Sequence, residues 1–175
     1  MEQSIRDSEL RMAFQDKIGY HYLDETKLIQ ALTHRSYVNE LKVNTGIQHN
    51  ERMEFLGDAV LELIVSDYLY QKFDEKSEGK LTKLRASLVC EPSLAACARF
   101  IGIGNCLCLG KGESLTGGRE RDSILSDAFE AVIGSIYLDR GLDAARRFIT
   151  ENLLERLQDI KGCIKVKHIN VEELI

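Results

Sequence analysis

Apolar residues recur every three or four positions along most of the chain, and no stretch of any length alternates apolar with polar. That period marks helices with one buried face, so the expected architecture is all-α. A first short helix is expected over 9–17, ended by Gly19. A second runs from about 25 to 33. Asp24 is its N-cap, since a carboxylate there can accept a free N–H of the first turn. Over 33–49 the pattern turns polar and includes Gly46, which predicts a loop. Asn50 then stands as N-cap to a long helix reaching about Phe73. A charged turn over 74–79 leads to a basic helix over 80–89. Pro92 fits the first turn of the next helix, 91–100, where its missing N–H is not needed. The glycine-rich stretch 102–118 predicts irregular backbone. A strongly apolar helix follows over 123–138, stopped by Gly141, and Asp143 caps a last helix ending near Gly162.

With 175 residues, 44% of them apolar, the chain suffices for one domain with a proper core. No run approaches the roughly 20 apolar residues needed to cross a bilayer. The first seventeen residues mix both charge signs and do not resemble a signal peptide. A cytoplasmic protein without membrane attachment is therefore expected. Cys90, Cys97, Cys106, Cys108 and Cys163 are odd in number and irregularly spaced, which does not describe a disulfide framework. Cys106 and Cys108 lack a second ligand pair for structural zinc, so the cysteines read as buried thiols. His21, His34, His49 and His168 are scattered, and none has a zinc-type partner four residues on. The net charge of −5 runs against generic nucleic-acid binding, which rests on clustered Lys and Arg. Either the protein binds no nucleic acid, or its acidity is concentrated where it holds cations.

The long central helix offers such a place. At about 100° per residue, Glu51, Glu54 and Asp58 fall within a sector of roughly 60°. Asp58 stands among Phe55, Leu56, Val60 and Leu61. A carboxylate there is costly to bury unless paired or bound to a cation. The later apolar helix places Asp127 and Glu130 one turn apart, again among apolar neighbours. Two helices that each contribute two semi-buried acids could form one four-carboxylate site. Hard oxygen ligands of this kind suit Mg²⁺, which activates water toward a phosphodiester. The same spacing also describes plain solvated acids, and it extends the Asp58 face to Glu62 without excluding it.

The run Asn50-Glu51-Arg52-Met53-Glu54-Phe55-Leu56-Gly57-Asp58-Ala59-Val60-Leu61 closely resembles the signature of the ribonuclease III family, with Met53 where leucine is common. Four further segments resemble the family in the same order. They are Leu32-Thr33-His34-Arg35-Ser36-Tyr37, Glu78 to Ala86, Leu109 to Glu113 with Gly117-Gly118, and Ser123 to Ala131. The resemblance runs from about residue 10 to 160. It implies the helical endonuclease fold of that family over 1–162, with 163–175 as a tail or the start of a linker. It implies Glu54, Asp58, Asp127 and Glu130 as the catalytic and metal-holding set, with Glu51 and Glu78 in support and Glu62 outside it. It implies Mg²⁺, with Mn²⁺ as substitute. The expected reaction is hydrolysis of double-stranded RNA to 5′-phosphate and 3′-hydroxyl ends with short 3′ overhangs, in RNA processing. It also implies a homodimer with Phe55 at the contact.

Lys80, Lys83, Arg85, Lys111, Arg119 and Arg121 are candidates for contacts to phosphates of A-form RNA, though each also reads as a solvated face. Arg52 reads as pairing with an acid, and His34 as a packing residue. Bacterial members of the family typically carry a double-stranded-RNA-binding domain after the nuclease domain, and residues up to Ile175 do not supply one. The sequence is thus expected to be a piece of a longer protein or a natural short form, with weak and salt-sensitive RNA binding. A catalytically silent RNA-binding or scaffold protein of the same fold is the competing reading.

Overall fold

The computed structural model describes residues 2–41 and 46–155. Its helices are α1 (Glu2–Ile18), α2 (Glu25–Ala31), α3 (Arg35–Glu40), α4 (Glu51–Lys72) and α5 (Glu78–Leu88). They continue with α6 (Glu91–Ile101), α7 (Ile103–Cys106), α8 (Lys111–Leu115) and α9 (Asp122–Ile149). The all-α expectation holds, and among the described residues the sole extended pairing is one isolated bridge between Thr33 and Cys108.

Helix α9 lies at the centre. Ile124, Leu125, Ala128, Phe129, Ala131, Val132, Ile133 and Ile136 are all buried, so apolar residues line most of its circumference. Helix α4 buries a single stripe, Met53, Gly57, Val60, Leu61, Ile64, Val65 and Leu69. Its spacing of three and four keeps those residues on one face against α9. Helices α6 and α2 also pack on α9. Each large side chain buried this way contributes about 1.5–3 kcal/mol.

The α4–α9 crossing is unusually close because each helix brings a glycine to it. A Cβ on Gly57 would lie 1.8 Å from the Glu130 carbonyl oxygen, and one on Gly134 would lie 2.2 Å from that of Met53. Here backbone meets backbone, which no larger residue permits.

Several local expectations are corrected. The stretch 33–49 contains a helix, α3, that its polar pattern does not announce. His34 caps its start, and the Glu40 carboxylate accepts the N–H groups of Lys111 and Gly112, so tertiary hydrogen bonds hold it. The stretch 102–118 is also more ordered than expected, holding α7 and α8 and leading into a 3-10 turn at Gly118–Glu120. Helix α1 begins seven residues early, at Glu2 rather than residue 9. Asp24 caps α2 as expected, accepting Thr26 N–H at 3.1 Å. Asn50 makes no side-chain cap; its carbonyl instead accepts the N–H groups of Met53 and Glu54. Gly141, with a φ of 80° and non-helical backbone, ends the first helical segment of α9 as expected and a second segment follows it to Ile149, succeeded by a π-helical turn, Thr150–Leu154. The expected end near Gly162 and the tail 163–175 lie outside the described residues.

One buried anchor was not foreseen. Asp139, on α9, accepts hydrogen bonds from Tyr20 Oη at 2.7 Å, Leu23 N–H at 2.9 Å and Asp24 N–H at 3.1 Å. Burial pushes its carboxyl up, but these donors and Lys27 outweigh it and hold the group below the ordinary value. The connection between α1 and α2 is thereby fixed to α9.

Candidate metal centre

The glycine crossing sets the geometry of the acids beside it. Glu54 stands one turn before Gly57, and Glu130 one turn before Gly134, so close backbones bring both side chains to the same place. Asp127, one turn earlier on α9, joins them. Glu54, Asp127 and Glu130 each offer a carboxylate oxygen, and these lie within 4.8 Å of one another. All three residues are half-buried. None has a Lys or Arg ion-pair partner among the described residues.

The electrostatics follow from that crowding. Burial pushes the Glu130 carboxyl up to about 8, with the charges of Asp58, Glu54 and Asp127 adding to it. Burial likewise raises Glu54 to about 7, helped by Asp127, Glu51 and Asp58. Asp127 is raised by burial and by Glu91. Like charges this close disfavour joint ionisation, and a cation among them would remove the penalty. The donor set fits a hard divalent ion: oxygens only, with no sulfur or nitrogen in the group.

Asp58 lies outside this trio, although its charge is the first to act on Glu130 after burial. It is exposed, where its apolar neighbours had suggested partial burial. Val60 and Leu61 turn into the core, while Phe55, on the same side of α4 as Asp58, is 80% exposed, so that side is uncovered within the chain. Glu51 also stands apart, paired with Arg35 at 3.1 Å and near His49 at 3.7 Å. Glu78 is the exposed first residue of α5 and accepts a hydrogen bond from Thr82 Oγ1 at 2.7 Å. Glu62 pairs with Arg85 at 2.8 Å.

The candidate phosphate contacts divide. Lys80, Lys83 and Lys111 are exposed and make no ion pair among the described residues. Arg85 is engaged by Glu62 and Ser66, and Arg121 by Glu113 and Thr116. Arg119 is half-buried, and its Nη1 donates to the Gly104 and Leu107 carbonyls, which assigns it to holding that loop. Of the cysteines, Cys97 is buried, while Cys90, Cys106 and Cys108 are half-buried free thiols. Burial pushes Cys106 up to about 11, which leaves it unreactive. Sequence reasoning missed Gly57 and Gly134; the signal available was a small residue one turn after an acid on each helix.

Comparison with known proteins agrees with this architecture. A curated relative, ribonuclease 3 of Desulforamulus reducens, is 54% identical over 144 residues, 82% of this chain. The chain spans 58% of that relative's own length. The crystal structure of the nuclease domain of ribonuclease III from Campylobacter jejuni is 40% identical, with a TM-score of 0.76, covering 83% of this chain and 95% of that one. A second structure of that domain, described for flexibility in the region involved in dimer formation, is 42% identical with a TM-score of 0.72 and covers 80% and 96%. The family model described as ribonuclease-III-like matches residues 24–157, and the chain belongs to that family.

Proposed function

We propose that this chain is a divalent-metal-dependent endoribonuclease that hydrolyses double-stranded RNA, leaving 5′-phosphate and 3′-hydroxyl ends with short 3′ overhangs. The observation that carries the reading is the convergence of Glu54, Asp127 and Glu130 at the α4–α9 crossing, in a chain of this family. These three, with Asp58, are the proposed holders of Mg²⁺, with Mn²⁺ as substitute. When bound, the ion supplies Lewis-acid chemistry, lowering the pKa of water and offsetting charge on a phosphodiester.

The protein's own part is positional. The backbone contact at Gly57 and Gly134 fixes the separation of the two acid-bearing helices. Partial burial keeps the carboxylates from being satisfied by bulk water and so available to a cation. Lys80, Lys83 and Lys111 stand free to meet phosphates, with Arg85 and Arg121 able to exchange their acid partners for them. Glu51 and Glu78 support from outside the trio.

Pairing two strand cuts requires two sites, and we read the chain as a homodimer. Helix α4 presents Phe55, Leu63 and Tyr70, 80%, 55% and 74% exposed, within a sector of about 80°. An apolar stripe of this kind marks an interface. No described helix is long and apolar enough to cross a membrane, and action in the cytoplasm on precursor RNAs is part of the proposal.

The test is incubation with a long RNA duplex at low salt, with and without Mg²⁺. Cuts on both strands that need Mg²⁺ and leave 5′-phosphate ends are expected. A folded, dimeric protein that leaves the duplex intact would overturn the reading.

A further inference from the structure

A cleft of about 620 Å³ opens between α1, α3 and the segment that joins α7 to α8, and it shares no residue with the carboxylate centre. Asp7, Leu10 and Arg11 line it from one face of α1, Tyr37 from α3 and Arg119 from the 3-10 turn. A volume of that size suits a small molecule, and the few polar groups that converge in such a cleft set what it holds.

Two of those groups are guanidiniums with unused donors. The Arg11 side chain is only 18% exposed, yet its one pairing among the described residues is a 3.4 Å contact from Nε to Glu25. Both of its Nη atoms make no hydrogen bond among those residues. Arg119 is held in place, since its Nη1 donates to the Gly104 and Leu107 carbonyls at 2.9 and 2.8 Å. Its Nε and Nη2 make no hydrogen bond among the described residues. A guanidinium so largely buried as Arg11 needs acceptors to offset lost water, and the described residues supply one. Burial keeps the Cys106 and Cys108 thiols on the same wall protonated, so they set no charge against an anion, and both guanidiniums act on those sulfurs. The acid on this wall, Asp7, has no ion pair among the described residues and adds a free acceptor.

We propose that this cleft binds a small organic phosphomonoester, a sugar phosphate or a mononucleotide, its phosphate held by Arg11 and Arg119 and a hydroxyl or amino group of its body donating to Asp7. Planar guanidiniums meet phosphate oxygens through paired, charge-assisted hydrogen bonds. The carbonyls that fix Arg119 in advance lower the ordering cost of binding. Asp7 repels a bare anion and rewards one that carries a donor, which favours the organic ester over inorganic phosphate.

Calorimetry on the whole chain, at fixed ionic strength and without Mg²⁺, tests this with AMP, ribose 5-phosphate, inorganic phosphate and adenosine. AMP or ribose 5-phosphate should bind about 10-fold tighter than inorganic phosphate, and adenosine should not bind. The tighter of the two esters tells whether a base belongs to the ligand. Arg11→Gln should weaken binding about 10-fold or more through loss of its charge-assisted hydrogen bonds. That change also removes the Glu25 pairing, so Glu25→Gln serves as the control: it breaks the same pairing and should leave binding intact. Melting temperatures establish that both variants fold. The proposal is overturned if no ester binds at millimolar concentration, if inorganic phosphate binds as tightly, or if binding survives Arg11→Gln. Equal loss in the two variants would also overturn it, leaving Arg11 as a tie between α1 and α2.

Discussion

Burial pushes Glu130 up to about 8 and Glu54 to about 7, so the folded chain holds protons that an unfolded chain releases near the ordinary 4.5. Between those values the native state binds more protons than the unfolded one, and stability falls as pH rises from about 4.5 through 8. The metal-free protein should therefore melt higher at the acid end of that window than at its alkaline end. Millimolar Mg²⁺ should flatten the slope by stabilising mainly the alkaline end, since it binds the folded form alone. Glu130→Gln should also flatten it, while lowering duplex cleavage by more than about 100-fold with fold and dimer intact. Thermal melts across the window and a cleavage assay check both; normal cleavage by that variant would remove Glu130 from the site. The acids themselves were legible from helix spacing and resemblance. The exposure of Asp58 and the anchoring role of Asp139 were not. Each depends on which neighbour covers a face, and that is settled by contacts far along the chain.

Among the elements, the two apolar helices that carry the acids declared themselves through their period. The short ones did not. Helix α3 has six residues and none of them is buried, so no apolar stripe could mark it. Its stability comes from the His34 cap and from Glu40 reaching the N–H groups of Lys111 and Gly112. That α4 and α9 might meet was suggested by their acids, but the closeness of the crossing was hidden, because it turns on two glycines rather than on large side chains. Gly57→Ala forces a methyl against the Glu130 carbonyl, and the helices must part. A cost of about 1–3 kcal/mol or more is expected. Cation affinity should fall with it even though no carboxylate is changed. Chemical denaturation and Mn²⁺ calorimetry on this variant measure the two losses; undiminished Mn²⁺ affinity would show that the crossing does not set the site.

At the scale of the molecule, the uncovered α4 stripe asks for a partner. Phe55 touches little of its own chain at 80% exposure, so Phe55→Glu should leave the circular dichroism unchanged. Sedimentation should then show a dimer for wild type and a monomer for the variant, because a carboxylate at the centre of an apolar contact is expensive to desolvate. A dimeric variant would place the interface elsewhere. The glycine crossing has a further consequence, for the motions of the backbone. With no side chain between α4 and α9 there is nothing there to rearrange, and the amides around Gly57 and Gly134 have no local opening that spares the core. Their hydrogens should exchange with solvent only when the whole domain unfolds, at the slowest rate in the chain, while those of α3 and α8 exchange through small openings. A hydrogen-exchange map would then show the backbone beneath the candidate carboxylates as the last part of the protein to open and α3 and α8 as among the first.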